Sequence, residues 1–163
     1  MHVEDWGLPG FNIHIAGPGK LWLIIPREFY HQVEGLVRDE LSDMNLLYNN
    51  FENHSDLLST KLVFILPEVL KKKKIPHWLV KVEAGQIIFL NWNVIHGGIT
   101  LSNKDSGLNL NYAANFCTNE WIEAVKNGDI KIGPSSKRGH FDKNSKNFKD
   151  CEKAQKKVQP PWK

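Results

Sequence analysis

His2-Val3-Glu4 sets an imidazole and a carboxylate two residues apart. On an extended strand, residues two apart point to the same face, so this pair can grip one ion between its side chains. A third ligand must come from elsewhere. His96 is the best candidate: it ends the apolar Val94-Ile95 and is followed by Gly97-Gly98, which would let the backbone turn close to a ligand. Two histidines and one carboxylate on one face of an octahedron leave three positions open. Non-haem Fe(II) uses that arrangement to hold a chelating cosubstrate and dioxygen together. A His-x-Glu pair alone arises often by chance, and a histidine at a strand end is commonly just a hydrogen-bonded structural residue, so the rest of the chain has to carry the argument.

The elements that must position these residues are mostly strands. Phe11 to Ala16 alternates, Gly17-Pro18-Gly19 turns, and Lys20 to Ile25 follows, which together read as a hairpin. Pro26 suits a first helical turn, and Phe29, Val33, Leu36 and Val37 recur behind it at helical spacing. A shorter helical region is expected around Ser55 to Ser59, before the apolar run Leu62 to Leu66 that Pro67 closes. Trp78 to Val82 and Gln86 to Leu90 flank Glu83-Ala84-Gly85 as a second expected hairpin. A strand from Leu108 to Phe116 and a helix from Asn119 to Lys126, capped by Asn119 or Thr118, complete the pattern. Many short strands with few helices predict a β-sandwich or barrel with flanking helices rather than a parallel βαβ sheet. Beyond Gly128 the pattern fails. The expected organisation is therefore a core over residues 1–128 and a basic, loosely structured tail over 129–163.

At 163 residues the chain is one domain's worth, and 41% hydrophobic residues can furnish a core. No stretch approaches the roughly 18 apolar residues of a membrane span, so no membrane partner is expected and a soluble, intracellular protein is. Two cysteines, Cys117 and Cys151, are too few and too far apart in sequence for a disulfide framework or a cysteine metal cluster. The net charge of +3 is modest but unevenly spread: residues 71–74 are all lysine and the region after Lys137 is basic. A weak nucleic-acid contact through that tail is conceivable, although such runs are usually solvated.

Several motifs occur in order at compatible spacings: His2-Val3-Glu4-Asp5, Asn12-Ile13-His14, Gly17-Pro18-Gly19-Lys20-Leu21-Trp22, Ile25-Pro26, Ile75-Pro76, Glu83-Ala84-Gly85-Gln86, Val94-Ile95-His96-Gly97-Gly98, Asn109, Ala114-Asn115-Phe116 and Trp121-Ile122-Glu123. As a series, from His2 to about Lys126, they resemble the JmjC domain, and within it most resemble the lysine demethylases of methylated histone tails. The resemblance implies a mainly β fold, a double-stranded β-helix of jelly-roll or cupin type with flanking α-helices. It implies an Fe(II)- and 2-oxoglutarate-dependent dioxygenase acting on a methylated histone tail or another protein, in the nucleus. Such enzymes convert 2-oxoglutarate and dioxygen to succinate and carbon dioxide while hydroxylating a substrate carbon. An N-methyl product then collapses to formaldehyde and demethylated lysine.

Residue by residue, His2, Glu4 and His96 resemble the family's iron ligands, and these three carry the catalytic expectation. Lys20 resembles the lysine that salt-bridges the distal carboxylate of 2-oxoglutarate, where a dianion needs charge neutralisation. Asn12 resembles an asparagine beside the cosubstrate, Trp22 an aromatic wall of its pocket, and Asn115 a pocket asparagine near iron and substrate. Core packing would serve Asn12 or Trp22 equally well. Ala113 stands where demethylases of trimethyl-lysine often have a serine, which leaves the methylation-state preference open.

Two departures stand out. Where some demethylases hold a structural zinc, this chain has His54 and Thr60, and no cysteine pair follows Trp121, so no zinc is expected. The metal motif also begins at residue 2, so the strands that precede it in the family have no counterpart here and the core is expected to be incomplete at its N-terminal side. Two other readings are compatible with these residues: a non-catalytic JmjC remnant acting as a binding or scaffold module, and a JmjC hydroxylase of protein side chains or RNA.

Overall fold

Alternation of buried and exposed side chains lets a strand cover a core with one face, and two such sheets can then bury their faces against each other. A computed structural model describes residues 1–43, 57–58, 61, 63–101, 108–130 and 146–157 of the protein. Among them run β1 (Gly10–Ala16), β2 (Lys20–Ile25), β3 (Trp78–Val82), β4 (Ile87–Leu90), β5 (Ile95–Thr100) and β6 (Leu110–Asn115). They form two three-stranded antiparallel sheets, ordered β4-β1-β6 and β3-β2-β5. The fold is mainly β, with helices α1 (Tyr30–Asp43), α2 (Pro67–Lys72), α3 (Asn119–Asn127) and α4 (Lys146–Lys157) around it. This is the jelly-roll type of core that the sequence implies.

Neither expected hairpin forms. β1 and β2 are consecutive but lie in different sheets, and so do β3 and β4. The segment from β1 through Gly17-Pro18-Gly19 to β2 is one bent ribbon. The ribbons β3–β4 and β5–β6 follow it antiparallel on either side. Pairing continues through the bend, where Gly85 N–H donates to the His14 carbonyl at 2.7 Å and Leu101 N–H to the Gly19 carbonyl at 2.8 Å. The physical reason is burial: crossing between layers lets Asn12 and His14 of β1 and Trp22 of β2 face one common interior, and a hairpin would keep both strands in one sheet.

Gly17 makes the crossing possible. It sits at φ +98°, and a Cβ there would strike the Leu108 carbonyl oxygen. Gly17→Ala is expected to cost about 2–4 kcal/mol, because it meets both the backbone strain and the clash. A urea melt would read this as a lower midpoint at unchanged slope; a midpoint equal to the parent's would mean that the turn relaxes freely.

Three apolar clusters hold the layers. The first packs Leu23, Ile25 and Ile95, on the outer face of the β3-β2-β5 sheet, against Val33, Leu36 and Val37 of α1 and against Met1 and Val3. The helix begins after a 3-10 turn at Arg27–Phe29, close to where Pro26 predicts it. Glu34 of α1 is buried, and its carboxylate accepts from Leu57 N–H at 2.5 Å and Leu58 N–H at 3.1 Å. The rest of the helical region expected near Ser55 lies outside the described residues, as does His54. Pro67, which closes the apolar run, opens α2 at its first turn, where a missing N–H costs nothing. The second cluster, Trp22, Val82, Ile88 and Leu90, fills the space between the sheets.

The third cluster gathers α3 and α4. Thr118 caps α3 by accepting from Trp121 N–H at 3.1 Å, and Gly128 closes it at φ 81°. Trp121 is fully buried, donating its indole N–H to the Trp6 carbonyl at 3.1 Å. Residues 146–157, read from the sequence as loose tail, are instead helical: Phe148 is buried, with its ring 5.8 Å from that of Trp121. The low overall hydropathy of that segment hid a single buried aromatic, which is enough to dock one helix face. Among the described residues, no helix is long and apolar enough to cross a membrane.

Candidate metal centre

His2 and His96 are joined through the backbone. Each N–H donates to the other's carbonyl at 2.8 Å, so His2 extends the β3-β2-β5 sheet by one residue beside β5. This cross-strand pairing brings the two rings to 4.4 Å between centroids. Val3 turns into the core, which leaves His2 and Glu4 on the same side, as two-residue spacing requires. One ligand atom from each of His2, Glu4 and His96 lies within 4.8 Å of the others. Gly10 makes room, since a Cβ there would meet Asn115 Oδ1 at 3.2 Å and Glu4 Cγ at 3.5 Å.

The donor set is arranged for a cation. His96 is 2% exposed, and its Nδ1 lies 3.0 Å from the Val94 carbonyl, an acceptor that fixes the proton on Nδ1. That leaves the Nε2 lone pair facing Glu4 Oε1 at 3.2 Å, with His2 Nε2 3.8 Å from the same oxygen. Two acceptors facing each other repel unless a proton or metal ion lies between them. Where a proton fills that gap, hydrogen bonds from His2 and His96 hold the Glu4 carboxyl well below the usual carboxylate range, while burial pushes His2 below the usual imidazole value. Both shifts favour the metal-binding forms, a carboxylate and a neutral imidazole. Asn115 adds a hydrogen bond from its amide to Glu4 Oε2 at 3.2 Å, which fixes the carboxylate's orientation.

The glycines after His96 do not turn the chain, contrary to the sequence expectation. β5 runs straight through Gly97 and Gly98 to Thr100. What they supply is space: a Cβ on Gly97 would press on Met1 Cγ at 3.0 Å, and one on Gly98 on Lys20 Cε at 3.0 Å.

Lys20, Trp22 and His96 share one sheet face, because Trp22 pairs with Gly98 and Ile24 with His96 across β2 and β5. Their rings and charge line up: Trp22 lies 5.9 Å from His96 between centroids, and Lys20 Nζ lies 4.8 Å from the Trp22 ring. Lys20 is partly buried, its pKa lowered by that burial, and among the described residues it pairs with no carboxylate. Trp22 Nε1 and Asn12 Oδ1 are buried without a hydrogen-bond partner among the described residues. Each such atom typically costs about 1–3 kcal/mol unless a ligand or water satisfies it. An unpaired ammonium and an unpaired indole N–H beside an inward-facing carboxylate–imidazole cluster fit an anionic, metal-chelating ligand.

Sequence reasoning gave no role to His14. It is fully buried, with Nδ1 3.1 Å from Asn111 Oδ1 and Nε2 3.2 Å from the Gly17 carbonyl. Asn111 donates in turn to Asn109, whose amide donates to the Pro18 carbonyl at 2.8 Å. The network ties the turn before Lys20 to β6. Its signal in the sequence is the two-residue spacing that puts His14 on the face of Asn12. Two cavities lie away from this site: an apolar one of about 340 Å³ between α1 and residues 63–66, and one of about 270 Å³ beside Arg27 and Trp92.

A double-stranded β-helix with two histidines and a carboxylate at one end of its interior defines a class of metal-dependent oxygenase folds. Residues 1–116 match the family described as JmjC domain, hydroxylase. The chain belongs to the JmjC family. It is 31% identical over 125 residues to the human "Probable lysine-specific demethylase 4F", a match covering 77% of this chain and 18% of that protein. It is 29% identical over 121 residues to "Lysine-specific demethylase JMJ17" of Arabidopsis thaliana, covering 74% and 9%. With "Lysine-specific demethylase JMJ705" of Oryza sativa subsp. japonica it shares 28% over 130 residues, covering 80% and 10%. The chain thus spans less than a fifth of the length of these relatives.

Proposed function

We propose that this chain is the metal- and cosubstrate-binding part of an Fe(II)- and 2-oxoglutarate-dependent dioxygenase that demethylates protein lysine, with a histone tail as the foremost substrate and the nucleus as its place of work. The observation that carries this reading is the convergence of His2, Glu4 and His96, with ligand atoms within 4.8 Å of one another and His96 Nε2 3.2 Å from Glu4 Oε1. The names of the similar proteins, all lysine-specific demethylases, support the substrate class.

Bound iron would supply dioxygen activation and the oxidative decarboxylation of 2-oxoglutarate. The chain's own residues hold and orient. His2, Glu4 and His96 provide one face of ligands, the Val94 carbonyl fixes the His96 tautomer, and Asn115 fixes Glu4. Lys20 meets the distal carboxylate of the cosubstrate, Trp22 offers its N–H, and Ile24 and Val94 help to exclude water. The family's description as a hydroxylase favours, as a second reading, stable hydroxylation of a protein side chain.

Succinate formation from 2-oxoglutarate, with and without Fe(II), on a panel of methylated and unmethylated lysine peptides tests the assignment. Iron-dependent succinate with formaldehyde is the expected result. Succinate with a hydroxylated peptide and no formaldehyde would favour the second reading, and no decarboxylation on any peptide would make the chain a binding module instead.

Asn115→Ala is expected to weaken Mn(II) binding about tenfold, since an outer partner that orients a ligand typically contributes a factor of about 10–100. Isothermal titration checks it. Unchanged affinity would leave Glu4 oriented by the histidines alone.

A further inference from the structure

Lys71, Lys72, Lys73 and Lys74 are consecutive and all exposed, at the C-terminal end of α2 and in the turn that leaves it. Their four charges exceed the net charge of the whole chain, +3. The negative end of a helix favours cations in its last turn, but that attraction falls off within the turn. Ammonium groups on adjacent residues also repel one another. Among the described residues none of the four pairs with a carboxylate, not even Lys72 with Glu68 four residues before it. Lys74 moreover holds φ 57°, the left-handed position just past a helix end that glycine usually fills. A cation stands there against the preference of the backbone.

The same segment carries an exposed aromatic. Ile75 turns into the core, and four residues after Lys74 the chain enters β3 at Trp78, which is 55% exposed. Among the described residues no ring stacks on its indole, no cation lies over it and no hydrogen bond holds it. Cross-strand register places Trp78 opposite Ile24, Ile24 opposite His96 and His96 opposite His2, so the four form one row on one face of the sheet. β3 is the edge of that sheet. At about 4.8 Å per strand, the Trp78 backbone is roughly 10 Å from that of His96. The indole therefore stands at the rim of the barrel, beside the metal centre and not in it.

We propose that the segment from the end of α2 to the start of β3 is a binding surface for single-stranded nucleic acid, in which Lys71 to Lys74 meet backbone phosphates and Trp78 stacks on an unpaired base. Lysine supplies flexible point charges, which suit a phosphate chain and read no sequence. A free indole face selects a strand whose bases are unpaired, because a base within a duplex is already stacked on its neighbours. The cation run and the aromatic together fit a single strand better than a duplex, an acidic protein or an anionic membrane. The surface uses none of the metal ligands, so the proposal is independent of the demethylase reading.

The test titrates the full chain, without added metal, into a fluorescein-labelled oligothymidylate of about 12 nucleotides and follows anisotropy at several salt concentrations. The variant carrying Lys71→Ser, Lys72→Ser, Lys73→Ser and Lys74→Ser should bind more weakly at low salt. Its log–log salt slope should be shallower by about 3, since each phosphate contact on a single strand contributes about 0.7. Trp78→Ala should bind roughly 5- to 150-fold more weakly at unchanged slope, the share of one stacked base, and Trp78→Phe should recover most of that loss. The substituted side chains are exposed, and equal melting temperatures check that the variants fold. An unchanged slope in the serine variant would place the phosphate contacts elsewhere on the chain and overturn the proposal. So would parental affinity in Trp78→Ala, or a duplex of the same length or phosphatidylserine vesicles bound by the parent as tightly as the single strand. These last comparisons use the parent chain, so they hold whatever the variants do.

Discussion

His96→Ala is expected to abolish measurable metal binding, with affinity for Mn(II) or Fe(II) falling by more than about a hundredfold. Loss of an outer-shell partner alone costs about 10–100, and His96 supplies an inner ligand. Its Nε2 is the deepest donor of the cluster, 2% exposed and already aimed at Glu4 by the Val94 carbonyl. The substitution leaves Glu4 and His2 as a two-ligand site at the edge of a sheet, where water competes effectively. Because His96 is buried beside Trp22, the variant will also lose packing, so affinity must be measured against folding. A thermal melt with and without Mn(II) does both. A ligand that binds only the folded state adds about 2.7 kcal/mol at a concentration a hundred times its dissociation constant. The parent should therefore melt several degrees higher with Mn(II), and His96→Ala at a lower temperature that Mn(II) does not change. If the folded variant is stabilised by Mn(II) as much as the parent, the metal is held elsewhere and the assignment of the triad fails.

The parts of this fold that a sequence expresses locally were legible in it. Period-two burial marks β1, a continuous apolar run marks β2, proline marks the start of α1, and Thr118 and Gly128 mark the ends of α3. Which strands pair was not legible, because Gly17-Pro18-Gly19 has the same turn chemistry whether the chain folds back or crosses to a second sheet. The decision lies in long-range burial of Asn12, His14 and Trp22 into one interior. Gly97 and Gly98 were misread for a related reason: glycine signals freedom at a turn and space within a strand equally well, and only the neighbours Met1 and Lys20 tell them apart. The grouping of His2 with Glu4 follows from spacing, but its union with His96 is a property of the ordered family motifs and of the backbone pair that joins them. The docking of α4 through Phe148 had no local signal at all.

Lys20→Ala is expected to weaken 2-oxoglutarate binding roughly tenfold to a hundredfold while leaving metal affinity nearly unchanged. A charge-assisted hydrogen bond in a partly buried setting is typically worth about 1.5–3 kcal/mol, and every 1.4 kcal/mol is a factor of ten. Lys20 is suited to that bond because its ammonium, drawn out of water along the Trp22 face, meets no carboxylate among the described residues. The triad lies farther along the same face, two residues of β2 beyond Trp22, so the metal ligands do not depend on this side chain. Alanine also removes the aliphatic stem that covers Gly98, so a loss of affinity could come from packing instead of charge. Lys20→Met separates the two, since it keeps the stem and deletes the charge. If the ammonium anchors the distal carboxylate, both variants should bind 2-oxoglutarate equally poorly in the presence of Mn(II), and each should raise KM for 2-oxoglutarate more than it lowers kcat at saturation. Near-parental binding by Lys20→Met would assign the effect to packing, and near-parental binding by both would mean that another cation holds the cosubstrate.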